Sequence, residues 1–94
     1  MYLSVYSWDG DPAELEAAYR RMLTGFPVEA IQLQLAVARP DGLDVYDTCP
    51  TKEQFEAFAA GDDFRAACRS VGLGDPRLSG LGEIVHTVVR EPVA

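Results

Sequence analysis

The chain is short of basic residues, of cysteine and of histidine, and each shortage removes a class of function. Its 8 Lys and Arg stand against 15 Asp and Glu, for a net charge of −7. No basic run is longer than Arg20-Arg21. Without a cationic stripe to displace counterions from phosphates, nucleic acid is not expected as a partner. An anionic membrane surface is disfavoured by the same charge. The two cysteines, Cys49 and Cys68, are too few for a disulfide framework. With a single histidine and no Cys-x-x-Cys pair, neither a structural zinc site nor any other metal or cofactor is expected. No apolar run reaches the length of a membrane span, and MYLSVYSWDGD lacks the basic start of a secretory leader. A cytoplasmic location is the expectation. The glycines of LGDPRLSGLG precede no helix, so they make no phosphate loop.

What is present is an ordinary globular composition, 48% hydrophobic and 24% charged. Residues 1–94 read as one domain with no linker. A chain of this size buries only about 60–65% of its unfolded surface, enough for a single small core.

Residues 1–8 alternate, Leu3, Val5 and Ser7 against Tyr2, Ser4, Tyr6 and Trp8, which predicts a strand. After the Asp9-Gly10 turn, Asp11 caps a helix with Pro12 at its first position. Leu15, Tyr19, Met22, Leu23 and Phe26 form its apolar stripe, and Gly25 and Pro27 end it. Residues 31–38 alternate again. Ile31, Leu33, Leu35 and Val37 are expected against the helices, with Gln32, Gln34, Ala36 and Ala38 towards water or a wet cavity. Arg39-Pro40-Asp41-Gly42 turns the chain into a strand over residues 43–49. Thr51 and Gln54 form a second capping box. The stripe that follows, from Phe55, Phe58 and Ala59 to Phe64, Ala67, Cys68 and Val71, is interrupted at Gly61, so this helix is kinked or split. Gly72 has the placement of a left-handed C-terminal residue, with Leu73 as its contact. Residues 73–82 read as a loop, residues 84–90 (IVHTVVR) as the last strand, and the remainder as a short tail.

The order is βαββαβ, an α+β arrangement of ferredoxin-like type with both helices on one face of a four-stranded antiparallel sheet. The other face then lacks cover. Parity assigns it Tyr2, Tyr6, Trp8 and Tyr46, and an aromatic face of that size is usually a contact surface. A second copy packed sheet to sheet about a two-fold axis is the simplest cover.

The order, the length and the stretch VYDTCPTKEQFEAF resemble the dimeric α/β-barrel superfamily, in particular the antibiotic biosynthesis monooxygenases. There an acidic residue on the third strand leads into a Ser/Thr-capped helix with aromatic residues on its inner face. Asp47, Thr51, Phe55 and Phe58 match that pattern, and GLGEIVH is a similar approach to the fourth strand. The resemblance implies a homodimer with a cavity between sheet and helices, and a cofactor-free enzyme acting on an aromatic or polyketide-like molecule. Monooxygenase, isomerase and cyclase chemistry all occur among such proteins, as do members without known activity. Two departures stand out. Cys49 occupies a position where many relatives carry Trp, and no histidine lies between Thr51 and Val71, where haem-degrading relatives hold their ligand.

Within that frame His86 and Asp47 are the catalytic candidates. His86, the chain's single histidine, is placed to act as general base, or to be satisfied by a backbone carbonyl. Asp47, enclosed at a strand end, is placed to accept a proton, or to help cap the adjacent helix. Tyr6, Trp8, Tyr46 and Gln34 are the ligand-binding candidates. Their rings suit a flat aromatic molecule and the amide an oxygenated one, while rings of this kind also fill interfaces. A non-catalytic homodimeric module that binds a ligand or partner is the competing reading. A formed pocket containing Asp47 or His86 would favour the enzyme.

Overall fold

The helices begin where the sequence supplies side chains that can cap them. A computed structural model describes residues 1–25 and 31–90. Asp11 Oδ2 accepts the Glu14 amide at 3.0 Å and opens α1, Pro12–Leu23. Thr51 Oγ1 accepts the Gln54 amide at 3.1 Å and opens α2, Lys52–Ala60. Each cap satisfies a backbone donor that has no partner inside its helix. At Gly61 the helical path breaks, and α3 follows as Asp63–Ser70. The Arg65 guanidinium donates to the Ala59 and Gly61 carbonyls at 2.7 and 3.0 Å, so the end of α2 is satisfied from α3. The interruption is therefore a split between two helices. Gly72, at φ 88°, ends α3. Its amide donates to Arg69 and that of Leu73 to Cys68, at 3.1 and 2.9 Å, a Schellman arrangement that buries Leu73. Phe26 and Pro27, expected at the end of α1, and the tail 91–94 lie outside the described residues.

The strands are β1 Tyr2–Asp9, β2 Gln34–Arg39, β3 Gly42–Cys49 and β4 Arg77–Glu83. They form one antiparallel sheet in the order β2-β3-β1-β4. With three helices packed on one face, this is an α+β fold. No helix among the described residues is long and apolar enough to cross a membrane.

The faces of the sheet are exchanged relative to the expectation. Tyr2, Tyr6 and Trp8 point at the helices and are at most 9% exposed. Tyr2 packs on Phe55 with ring centroids 5.5 Å apart, and Tyr6 on Phe64 at 5.0 Å. Tyr6 stands opposite Val45 in the ladder, and Val45 is 1% exposed. Tyr46, opposite Val5, lies on the uncovered face as expected. The assignment of β2 is reversed too. Leu35 pairs with Tyr46 on the uncovered face and is 57% exposed, and Val37 shares that face at 45%. Gln34 pairs with Asp47 and faces the helices. Ile31 and Leu33 precede β2 instead of belonging to it. The physical reason is volume: the rings from β1, α2 and α3 fill the space under the helices, which leaves the aliphatic set outside.

The last strand is also displaced from the expected one. β4 is RLSGLGE, and residues 84–90 form no regular element. Gly80 explains why a glycine-rich stretch pairs here. A Cβ on it would lie 2.1 Å from the Tyr2 hydroxyl oxygen, so β4 reaches β1 beneath the Tyr2 ring only without a side chain. Beyond β4, the Ile84 amide donates to Met1 O at 2.8 Å.

Candidate functional site

A cavity of about 140 Å³ lies between the helix-facing side of the sheet and the three helices. β1 supplies Tyr6 and Trp8, and β3 supplies Val45 and Asp47. β2 gives Gln34, α1 gives Tyr19, Met22 and Leu23, and Phe58 and Phe64 come from α2 and α3. Ile31 completes the described lining. Strand alternation accounts for the first four, since residues two apart on a strand share a face. The break at Gly61 accounts for the two phenylalanines, whose rings sit 4.9 Å apart across it.

Two hydrogen-bonded pairs stand on this apolar wall. The Tyr6 hydroxyl donates to Asp47 Oδ2 at 3.0 Å. The Tyr19 hydroxyl donates to Gln34 Oε1. Asp47 Oδ1 accepts the Thr48 amide at 2.9 Å, and Ser4 Oγ, wholly buried, donates to the Asp47 carbonyl at 3.3 Å. The Trp8 indole N–H is directed elsewhere, to the Gly74 carbonyl at 3.1 Å. Burial, reinforced by the Asp47 charge, pushes the Tyr6 phenol above its ordinary pKa of 10.0. The same two causes, in the same order, raise Tyr19 and the Cys49 thiol. Both phenols therefore keep their protons through neutral pH and act as donors to the groups they face.

Of the sequence candidates, Tyr6, Trp8, Gln34 and Asp47 come together around this cavity. Tyr46 and His86 do not. Both line an open groove on the opposite side of the sheet, with Leu3, Leu33, Leu35 and Ile84. His86 is exposed and outside any strand, because the pairing to β1 ends near Glu83. Asp44 also sits on that side, where its Oδ2 meets Arg39 Nε at 3.0 Å.

Tyr19, Phe58 and Phe64 join the site although sequence alone does not mark them as site residues. Tyr19 carried a usable signal: a phenol inside an apolar helix stripe needs a partner for its hydroxyl, and Gln34 is that partner. No metal-binding group of three or more His, Cys, Asp or Glu occurs among the described residues. The polar groups at the cavity suit holding an organic molecule by hydrogen bonds. Compared with protein-family models, with curated proteins and with solved structures, the chain matches none.

Proposed function

We propose that this chain is a small-molecule-binding domain whose site is the cavity between sheet and helices. The observation that carries the reading is the Tyr6–Asp47 pair standing beside the Tyr19–Gln34 pair on an aromatic wall. Polar groups that hold one another in place at an apolar cavity form a pre-organised recognition surface. A cavity near 140 Å³ suits one ring or a small branched skeleton, since an engineered cavity of roughly 150 Å³ takes benzene. A polycyclic, polyketide-like ligand exceeds it. The test is an amide NMR titration with a set of single-ring compounds. Shifts concentrated at Tyr6, Trp8, Gln34 and Asp47 are expected. Shifts confined to Leu3, Tyr46 and residues 84–90 would overturn the reading.

One observation favours a catalytic variant of it: a carboxylate, Asp47, lines the cavity. In that variant the chain is a cofactor-free enzyme on a small aromatic molecule, with Asp47 as the base. His86, on the other side of the sheet, takes no part. Solvent-deuterium exchange at a ring carbon of a bound phenol or the α-carbon of a ketone, lost in Asp47→Asn, is its expected signature.

The fold we assign as ferredoxin-like, supported by the strand order β2-β3-β1-β4 and by the helices on one face, and we place the chain in the cytoplasm. The uncovered face we assign to a second copy, as in the dimeric α/β barrels. Leu35 and Val37 on β2 expose apolar side chains on that face, each at least 45% exposed. Four strands of up to eight residues span roughly 26 by 19 Å, the order of one side of a small stable interface. Val85, Val88 and Val89, all at least 70% exposed, extend it.

A further inference from the structure

Resting on the binding reading above, we propose that the cavity takes a small organic cation, a primary or methylated ammonium on a skeleton no larger than one ring. Its charge would lie between the Asp47 carboxylate and the faces of Tyr6, Trp8, Tyr19 and Phe64.

Charge is the first ground. Asp47 takes part in no ion pair among the described residues, although eight other pairs are formed. The Asp47 carboxylate is half-buried at the cavity wall, and among the described residues its oxygens accept hydrogen bonds from Tyr6 and Thr48 but meet no cation. A cation entering the cavity would meet this carboxylate as its nearest opposite charge. An anion would meet both this carboxylate and a chain of net charge −7.

Ring faces are the second ground. The negative face of an aromatic ring attracts a cation, and the attraction grows when water is excluded. Tyr6, Trp8, Tyr19 and Phe64 are each at most 8% exposed and border one cavity.

The third ground is which hydrogens are already spoken for. Tyr6 gives its proton to Asp47, Tyr19 to Gln34 and Trp8 to Gly74. What the two phenols have left for a ligand is lone pairs, and the carboxylate has only lone pairs. The Gln34 amide N–H₂ is the one polar donor these pairings leave over. A site so rich in acceptors is matched by a ligand that donates, and an ammonium has donors and no acceptor.

The experiment is titration calorimetry at neutral pH with benzylammonium, methylammonium, benzyl alcohol and benzoate. Benzylammonium is expected to bind about tenfold or more tighter than the isosteric alcohol, with no heat from benzoate. Asp47→Asn should bring amine and alcohol within about threefold, since the amide keeps an acceptor for Tyr6 and loses the charge. Should that variant not fold, the ranking on the unaltered chain decides alone. Equal affinity for amine and alcohol overturns the cation and leaves the binding site standing. Absence of binding by either cation, with or without binding by the alcohol, overturns the proposal. Silence from all four removes the binding reading with it.

Discussion

Tyr6 and Asp47 are diagonal neighbours on adjacent strands, not opposite ones: Tyr6 faces Val45, Asp47 faces Ser4, and the phenol reaches across to Oδ2 at 3.0 Å. Only a side chain as long as tyrosine closes that diagonal. Tyr6→Phe keeps the ring against Phe58 and Phe64 and removes the bond. A loss of about 1.5–3 kcal/mol is expected, the usual worth of a hydrogen bond to a charged group. Urea denaturation checks it. An unchanged midpoint at constant slope would mean that water replaces the hydroxyl without loss.

Gly80→Ala should destabilise by about 1–3 kcal/mol, because the new methyl group collides with Tyr2 and displaces a ring packed on Phe55. The same denaturation series measures it. Changed ring-proton shifts at Tyr2 and Phe55 would locate the damage. If Tyr2→Ala in the same chain abolishes the penalty, the ring is the obstacle.

That glycine also shows why part of the fold escapes sequence reading. The helices were legible, since Asp11, Pro12, Thr51 and Gly72 act through neighbours a few residues away. Gly80 acts on Tyr2, on another strand, and nothing local distinguishes it from a loop glycine. Residues 84–90 mislead in the opposite way: their β-branched content favours a strand, but pairing depends on what lies alongside. The alternation in β1 was legible as well, whereas its inward side was not, because period two reveals two faces and ranks neither. The site followed suit. Tyr6, Trp8, Gln34 and Asp47 were nameable as residue types, while their company with Tyr19 and Phe64 needed the register of three strands.

Cys68 is fully buried against Met22, with the sulfur atoms 3.9 Å apart, and burial pushes its thiol from about 9.0 up to about 11. A folded-state pKa raised above the unfolded one gives stability that is whole below pH 9 and lost as pH rises towards 11. Tyr6 and Tyr19, raised likewise, extend that loss to higher pH. Denaturation midpoints measured from neutral to strongly alkaline pH should therefore fall on the alkaline side. Alkylation at mild pH should label Cys49 slowly and leave Cys68 unmodified until the chain unfolds. Equal labelling of both thiols in the folded protein would contradict the burial.

Leu35→Glu tests the uncovered face. The residue is more than half exposed, so the fold should tolerate the change within about 0.5 kcal/mol. Sedimentation equilibrium at micromolar concentration is expected to give twice the 10.3 kDa chain mass for the unaltered protein and one chain mass for the variant. A single-chain mass for the unaltered protein ends the dimer proposal.

Trp8 is the chain's single tryptophan, 3% exposed and part of the cavity wall. Its indole N–H is anchored to Gly74, so the ring cannot turn away from whatever enters. The protein thus carries its own fluorescent reporter, positioned at the candidate site and undiluted by signal from any other indole. Emission quenched or shifted on adding a compound reads occupancy without a label, and it reads it at the wall where Tyr6 and Asp47 meet.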